Sequence, residues 1–213
     1  DYCQNMLGNE KYQTNDYVNL RRLLVDILIY GEAAQVYVNY KTDNLVSGFL
    51  TAEQRAMGTA ANAAVDYHTV KEKLFATVSA DDELASMEAA TLYLEAAVNI
   101  QFKYTAGNLD GLRVVVTGDA AGTDVLGEYA ADGSLIDSKG RYYVTFGGLN
   151  ACQMKKTVYA TVMQDNKKVS NTYRYSIESY VESMRTNGTT KLDKLLDAMM
   201  RYGDSATAFA GRN

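Results

Sequence analysis

Two stretches of this chain, 172 residues apart, carry the same helical pattern and constrain its fold more than any other feature. Residues 20–38 read LRRLLVDILIYGEAAQVYV, and residues 192–210 read LDKLLDAMMRYGDSATAFA. Leucines recur in both at intervals of three and four residues, which predicts an amphipathic helix with one buried face. A shorter helical pattern precedes each stretch. The chain is therefore predicted to begin and end with related helical hairpins.

The first hairpin is predicted to contain a short helix over residues 1–7 and a long helix. The long helix begins at Asn15 or Asp16, whose side chains can cap it, and continues to about Tyr40. Its predicted buried face contains Leu20, Leu23, Leu24, Ile27, Gly31, Ala34 and Val38. Because Gly31 recurs as Gly203 in the second stretch, we expect another backbone or ring to approach closely at both positions.

Two further helix starts are marked by capping residues. Thr51 opens a short helix, with Gln54 at the reciprocal position of a capping box. Thr189 or Thr190 is predicted to cap the final long helix.

Between the hairpins the hydrophobic period changes from 3.6 to 2, which predicts β-strands. The strands are predicted at residues 74–78, 91–95, 98–104, 112–117, 125–129, 141–146, 157–163 and 168–175. Short strands separated by turns, with no helix between them, are typical of an antiparallel sandwich. We therefore predict an α+β fold, in which an Ig-like antiparallel β-sandwich of seven to eight strands is flanked by N- and C-terminal helical hairpins.

The predicted organisation has four parts. Residues 1–57 form the N-terminal hairpin and a short helix, residues 58–69 a linker of small residues, residues 70–175 the β-sandwich and residues 176–213 the C-terminal hairpin. The apolar face of the N-terminal hairpin needs a partner, so it is predicted to pack on the sandwich or on the second hairpin. Association of the two hairpins would give a pseudo-symmetric four-helix arrangement.

Composition argues against two classes of partner. The net charge is −5, whereas binding to nucleic acid through phosphates requires a basic face. No apolar run approaches the roughly 20 residues of a membrane-spanning helix, so no membrane insertion is predicted. The chain contains 17 tyrosines, 5 phenylalanines and no tryptophan. Tyrosine suits both sheet faces and ligand platforms, because its ring buries apolar area while its hydroxyl stays hydrated.

The sequence lacks the residue sets of common catalytic sites. His68 is the single histidine, which excludes a multi-histidine metal site, and no local motif supports Cys3 or Cys152 as a nucleophile beside it. A glycoside hydrolase needs only two carboxylates. The candidates are Glu95, Asp119, Asp124, Glu128 and Asp137. Most lie beside glycine in predicted turns, where aspartate is expected for backbone reasons. We predict that the protein is not an enzyme, with a hydrolase as the remote alternative.

Calcium is the metal that the acidic loops suit best, because hard oxygen ligands from loops are sufficient to bind it. One cluster contains residues 81–83, and the other contains Asp119 and Asp124. Neither has the spacing of an EF-hand loop. We predict no cofactor, with a structural calcium ion as the alternative. Cys3 and Cys152 are predicted to be small core residues, and a single bridge between them stays open for a secreted protein.

Tyrosines on the C-terminal strands are the candidate ligand-binding residues. The four candidates are Tyr142, Tyr143, Tyr173 and Tyr175. Adjacent residues of a strand face opposite ways, so one of Tyr142 and Tyr143 should point outward. Tyr173 and Tyr175 share a face, which is either an outer face or the core face. The alternative for all four is an ordinary structural role in the sheets.

Several segments, in their order along the chain, resemble a known type of module. They are YGEAAQVYVNYKTDNL, LTAEQ, VNIQFKY, FGGLNACQMKKTVYATV and YSIESYVESM, the last leading into LDKLLDAMMRYGDSA. The chain resembles uncharacterised modules of large secreted and cell-surface proteins of anaerobic Gram-positive gut and rumen bacteria, in which a β-sandwich precedes a helical hairpin of Tyr-Gly-x-Ala-Ala type. Asp204-Ser205 departs from that alanine-rich pattern. The resemblance implies a secreted or cell-surface location and adjacent modules of the same polypeptide as partners. It implies no catalytic residue.

Our leading functional prediction is a non-catalytic structural or spacer module of a secreted multidomain protein. The alternative is a carbohydrate-binding module that binds polysaccharide through surface tyrosines. Outward tyrosines beside Asn or Asp in a concave sheet face would favour the alternative, and an even, charged surface would favour the spacer.

Overall fold

A computed structural model describes residues 2–58, 78–94, 98–185 and 190–211. These residues contain five α-helices. They are α1 Tyr2–Gly8, α2 Val18–Val38, α3 Ala52–Ala56, α4 Ile177–Met184 and α5 Lys191–Ala210. Within the described ranges no helix is both long enough and apolar enough to span a membrane.

The same ranges contain seven β-strands in two antiparallel sheets. The strands are β1 Ala85–Leu94, β2 Val98–Ala106, β3 Leu112–Thr117, β4 Val125–Ala130, β5 Tyr142–Leu149, β6 Val158–Gln164 and β7 Lys167–Tyr175. One sheet has the order β1-β2-β5, and the other has the order β4-β3-β6-β7. An α+β fold with two antiparallel sheets is therefore observed, and it is consistent with a β-sandwich.

Contacts divide the described residues into two compact units. The helical unit comprises residues 2–58, 151–154, 181–185 and 190–211, and the sheet unit comprises the rest. The predicted domain boundaries stay predictions, because most of the predicted linker, residues 59–69, lies outside the described residues.

The inner faces of the two sheets form the core of the sheet unit. Alternate residues of the central strands are buried, namely Ile100, Phe102, Tyr104, Val114, Val116, Val144, Phe146, Val158, Ala160 and Val162. Phe102 on β2 meets Tyr175 on β7 edge to face, with ring centroids 6.4 Å apart. Asn171 on β7 joins the sheets at the bulge of β1, because its side chain exchanges two hydrogen bonds with the backbone of Met87.

The period-2 pattern predicted most of these strands well. Strand β3 has the predicted bounds, and β4 to β7 differ from prediction by one to three residues at an end. Strand β1 begins six residues before the predicted Thr91. The predicted strand at residues 74–78 falls almost wholly outside the described residues. The predicted turn before β3 contains Gly111 with a φ of +70°, a conformation that glycine adopts without strain.

Helices α2 and α5 pack against each other in the helical unit. Asn19 Nδ2, at the start of α2, donates to the carbonyl of Ala208 near the end of α5 at 2.9 Å, so the helices are antiparallel. Tyr30 of α2 and Tyr202 of α5 stack on each other, with ring centroids 5.8 Å apart and an angle of 12° between the ring planes. Of the two partners predicted for the first long helix, the structure therefore shows the second long helix.

The predicted buried face of α2 is wrong in part. Leu24 is buried, but Ile27 and Val38 are 37% and 65% exposed. Val25 and Leu28 are buried instead, in a cluster with Leu7 of α1 and Leu50 from the segment before α3. The buried face is rotated because α1 and the chain after α2 cover α2 from a side that a periodicity argument cannot identify.

The glycine predictions have opposite outcomes. A Cβ built on Gly203 would lie 3.0 Å from Met154 Sδ and 3.2 Å from the carbonyl oxygen of Ala151, so the expected close approach is confirmed there. A Cβ on Gly31 would meet no atom of the described residues within 4 Å, so the prediction is wrong for the first copy. Capping followed prediction more closely, since Thr51 and Gln54 form the expected capping box.

Candidate ligand-binding cavity

The strand register decides which of the two adjacent candidate tyrosines faces outward. Tyr142 pairs with the fully buried Tyr104, and their ring centroids lie 5.8 Å apart. Tyr142 therefore belongs to the inner face of its sheet. Tyr143 has the opposite orientation and pairs with Lys103 on the outer face.

The other two candidates lie on the core face. Tyr173 is 4% exposed and Tyr175 is 8% exposed, so neither presents a ring to solvent. Burial raises the pKa of Tyr175 well above its ordinary value, with neighbouring tyrosines adding a smaller effect in the same direction. Tyr173 and Tyr175 therefore lie on the core face, which was one of the two predicted alternatives. Of the four candidates, only Tyr143 can belong to an outward platform.

Tyr143 lines a cavity of about 550 Å³ in the sheet unit, which we name the tyrosine cavity. Its lining residues are Tyr93, Gln101, Tyr129, Ala130, Asp132, Leu135, Tyr143, Val144 and Thr145. The volume falls within the roughly 300–1,000 Å³ of small-molecule sites. Three tyrosines, one amide, one carboxylate and one hydroxyl thus converge on one concave surface.

One wall of the tyrosine cavity is the outer face of the β1-β2-β5 sheet. Gln101 on β2 stands directly opposite Thr145 on β5, and Thr91 on β1 stands opposite Gln101. Tyr93 lies two residues further along β1, on the same face, and is 39% exposed. The period of two along each strand therefore brings Tyr93, Gln101 and Thr145 to one surface with Tyr143.

The connection between β4 and β5 forms a second wall. The backbone N–H of Tyr143 donates to the carbonyl of Leu135 at 3.0 Å, which holds this connection along the start of β5. Asp137 braces it by accepting a hydrogen bond from Arg141 Nη2 at 2.7 Å and by forming an ion pair with Lys103 Nζ at 3.4 Å. Hydrogen bonds from Arg141 are the main reason that the pKa of Asp137 is well below its usual range.

A glycine creates the place for the third tyrosine. Tyr129 lies two residues after Gly127 on the same face of β4, and a Cβ on Gly127 would lie 2.8 Å from Tyr129 Oη and 3.0 Å from its Cε2. The ring thus lies flat over the strand in space that any side chain at position 127 would occupy. Partial burial raises the pKa of Tyr129, so its hydroxyl stays protonated and can donate a hydrogen bond.

Asp132 supplies the charge of the tyrosine cavity. Its Oδ1 accepts from the backbone N–H of Ser134 at 2.8 Å and from the Ser134 hydroxyl at 2.7 Å. These hydrogen bonds lower the pKa of Asp132, so it is ionised at neutral pH. Its Oδ2 accepts no hydrogen bond from the described residues, which leaves a charged acceptor at the exposed rim.

The acidic clusters considered for calcium are engaged in local contacts. Both oxygens of Asp119 accept hydrogen bonds from its own loop, including those from the N–H groups of Gly122 and Asp124 at 2.6 Å. These bonds and those from Thr123 lower the pKa of Asp119 to about 2. Asp82 pairs with Lys167 and accepts from the Ser79 hydroxyl at 2.7 Å. In the part of the chain that the structure describes, no three His, Cys, Asp or Glu side chains group as metal ligands would.

Two of the carboxylates considered for hydrolysis are unsuited to act as a general acid. A general acid must keep its proton at working pH, whereas the pKa values of Asp119 and Asp137 are lowered by the donors around them. Glu128 forms an exposed pair with Arg113 at 3.0 Å, and Glu95 lies outside the described residues. The two candidate cysteines, Cys3 and Cys152, are both described and are not bridged to each other.

Sequence reasoning identified Tyr143 but missed the residues that surround it. Tyr93 and Tyr129 lie on strands that were predicted, so the alternation along β1 and β4 was available as a signal. What was not available is the pairing of β2 with both β1 and β5 and the approach of Tyr129 on β4 to this sheet, since sequence alone does not order the strands of an antiparallel sandwich. Asp132 lies between the predicted strands 125–129 and 141–146, and only the fold brings it to a cavity.

Comparison with known proteins returned no match to any family model, curated protein or solved structure. The resemblance to tandem modules of secreted proteins of gut and rumen bacteria therefore stays a prediction.

Proposed function

We propose that this chain is a non-catalytic accessory module and that the tyrosine cavity binds a neutral saccharide. The observation that carries the proposal is the convergence of Tyr93, Tyr129 and Tyr143 on one concave surface together with Gln101 and Asp132. Tyr93 and Tyr143 point outward beside amide and carboxylate groups, which is the feature that favours carbohydrate binding over a purely structural role, whereas Tyr129 pairs with the buried Val114 at the inner face of its sheet.

The lining matches the two kinds of contact that a sugar ring requires. Tyrosine rings supply flat apolar surfaces for the C–H face of a pyranose, and each ring carries a polar hydroxyl at its end. Gln101, Thr145 and Asp132 Oδ2 supply donors and acceptors for sugar hydroxyls. A few convergent polar groups on a mainly apolar surface are the usual composition of a small-molecule site.

The charge of the tyrosine cavity favours neutral over acidic sugars. Asp132 is ionised, and a uronic acid or sulfated sugar beside it would place two negative charges at short distance. Lys103 and Arg141 lie nearby on the sheet and connection, but both are committed to Asp137. These two cations balance the carboxylates of Asp137 and Asp132 in number, but Asp132 is the charged group that lines the cavity itself.

The finer description of the fold also belongs to the proposal. In an Ig constant-type sandwich, strands one, two, five and four form one sheet and strands three, six and seven the other. Here β4 pairs with β3 instead of β5, and the remaining order agrees. We assign an Ig-like sandwich with a switched edge strand, flanked by hairpins, in a secreted or cell-surface protein whose adjacent modules are partners.

The proposal is tested by screening the protein on a glycan array and by pull-down with insoluble polysaccharides. Replacing Tyr143 or Tyr93 by alanine should weaken binding to the recognised saccharide at least about tenfold, equivalent to ~1.4 kcal/mol. Tyr37→Ala is the matched control, since Tyr37 is an exposed tyrosine on α2, outside the sheet unit. Polyuronates should bind more weakly than neutral glucans, mannans or xylans.

A second variant tests the cavity without removing a tyrosine. Gly127→Ala must push the Tyr129 ring off β4, and the ring can swing because it is the free end of a side chain. Binding should fall while thermal unfolding stays cooperative. If Tyr37→Ala weakens binding as much as Tyr143→Ala does, the tyrosine cavity is not the site.

The spacer function is the second candidate, and the same screen separates the two. A spacer needs folded units with their own cores, and each of the two units has one. Silence across the screen from a protein that unfolds cooperatively would favour the spacer and remove the support for saccharide binding.

A further inference from the structure

A groove lies between α2 and α5 in the helical unit, with a volume of about 320 Å³. One face of α2 contributes Ile29, Glu32, Ala33 and Val36, and one face of α5 contributes Lys191, Lys194, Asp197, Ala198 and Arg201. We name it the helix groove. In both sets the residues recur at three- and four-residue intervals, so each helix presents a single stripe to it.

The charges of the helix groove are not balanced. Asp197 pairs with Arg185 at 3.0 Å, whereas Glu32 keeps its charge while it accepts from the backbone N–H of Ser47, so three cations of the lining stand against one carboxylate that no cation of the described residues offsets. Lys191, Lys194 and Arg201 have no carboxylate partner within residues 2–58, 78–94, 98–185 and 190–211. The groove is therefore locally cationic on a chain whose net charge is −5.

Shape and apolar lining suit an elongated occupant. The distance from Lys191 to Arg201 along α5 is about 15 Å at 1.5 Å per residue. Between the charges, Ala33 and Ala198 are small enough for close approach, and Ile29 and Val36 provide apolar contact. An apolar stripe between two packed helices, bordered by charge, is the receiving surface of helix-in-groove recognition.

The chain already covers the corresponding part of α2 with a short segment of its own. A Cβ on Gly58, directly after α3, would lie 3.0 Å from Val25 Cγ1 and 2.9 Å from Asp26 Oδ1, and both side chains are buried. The 172-residue offset between the two helical stretches makes Asp197 and Ala198 the counterparts of Val25 and Asp26. In α5 these counterparts line the open groove.

We propose that the helix groove binds an acidic amphipathic helix of a protein partner. The apolar side of that helix packs on Ile29, Ala33 and Val36, which are partly exposed. Its Asp and Glu side chains, at three- and four-residue spacing, pair with Lys191, Lys194 and Arg201. The stripe of cations selects an acidic partner. The small residues between the cations allow the partner helix to approach the groove closely.

The test is fluorescence anisotropy of the full chain with two labelled peptides of about 15 residues, a length at which helix formation in isolation is marginal. One peptide carries leucine on one face and glutamate on the other, and the second replaces glutamate by lysine. The glutamate peptide should bind and the lysine peptide should not, and binding should weaken as salt is raised.

Charge reversal provides the decisive variants. Lys191→Glu with Lys194→Glu should weaken binding of the glutamate peptide at least about tenfold and should allow the lysine peptide to bind. The matched control is Lys41→Glu with Lys139→Glu, which makes the same change in net charge at exposed positions outside the helix groove. Ala33→Leu fills the apolar stripe without changing charge, and it should also weaken binding.

Each outcome decides the proposal. Equal binding of both peptides, or equal loss in the groove and control double variants, would overturn it. Dodecanoate is included as a small anionic amphiphile. Dodecanoate binding that is lost in the Ala33→Leu variant, together with no binding of the glutamate peptide, would mean that the groove is a small-molecule site. The helix proposal would then fail.

Discussion

Helices α2 and α5 have related sequences and different surroundings. Both carry a Tyr-Gly pair, and the tyrosines stack on each other, but only Gly203 is pressed by neighbouring atoms. Its neighbours come from residues 151–154, a short connection that has no counterpart at Gly31. The same local pattern therefore serves close packing in one helix and leaves open space in the other. A glycine in a helix allows another segment to pack closely against it. Whether such a segment is present depends on the rest of the fold.

The ends of the two helices differ in the same way. Thr190 caps α5 through a reciprocal capping box with Asp193, whereas α2 begins from a 3₁₀ turn at Asn15–Tyr17 and has no side-chain cap. At the other end, Asn39 adopts a left-handed conformation with φ of 54° and ends α2 two residues before the predicted Tyr40. Two copies of one pattern thus obtain their stability from different contacts.

The largest expected contrast is between the two glycines. Gly31→Ala should stabilise the protein by about 1 kcal/mol, because alanine is the better helix former and its Cβ meets nothing. Gly203→Ala should be destabilising, because its Cβ is forced against Met154 and the backbone of Ala151. The difference between the variants should be about 2 kcal/mol in the free energy of unfolding. Urea unfolding of both variants measures it. Equal stabilisation by the two changes would mean that the close approach at Gly203 carries no strain.

The second contrast concerns the helix caps. Thr190→Ala removes the acceptor for the Asp193 N–H and should cost about 1 kcal/mol in unfolding free energy. Thr14→Ala is its control before α2, since Thr14 makes no side-chain cap and the change should stay within about 0.5 kcal/mol. Thermal unfolding followed by circular dichroism compares them. A larger loss in the Thr14 variant would contradict the assignment of different caps.

The smallest effect is expected for the stacked tyrosines that join the helices. In a double-mutant cycle, the variant with both Tyr30→Ala and Tyr202→Ala should lose about 0.5–1 kcal/mol less than the sum of the two single losses, because each single loss already includes the stacking. Burial raises the pKa of Tyr30, consistent with a ring in apolar surroundings. The cycle of Tyr12→Ala with Tyr202→Ala is the control, since Tyr12 meets Tyr17 instead. Zero coupling between Tyr30 and Tyr202 would show that the rings contribute independently.

The candidate site shows what strand patterns can and cannot provide. Alternation in the sequence requires Tyr142 and Tyr143 to face opposite ways, and this is what β5 shows. The prediction left open which of the two faces outward, although Tyr142 shares a face with Val144 and Phe146 and Tyr143 shares one with Arg141 and Thr145. The pairing of Tyr142 with buried Tyr104 decides it, and that pairing depends on strand order. For Tyr173 and Tyr175 the sequence likewise left the outer face and the core face as alternatives, and both side chains are buried in the core.

The sequence by itself determined the local structure of this protein. The period of the apolar residues distinguishes helix from strand, and Thr51, Thr190 and Gly111 specify a cap or turn through their own backbone and side-chain chemistry. Tertiary structure alone decided which face of α2 is buried, which glycine is crowded and which tyrosines surround a cavity. These properties depend on contacts between residues far apart in the chain. A periodic pattern shows that a face exists, and only the packed fold supplies the surface that meets it.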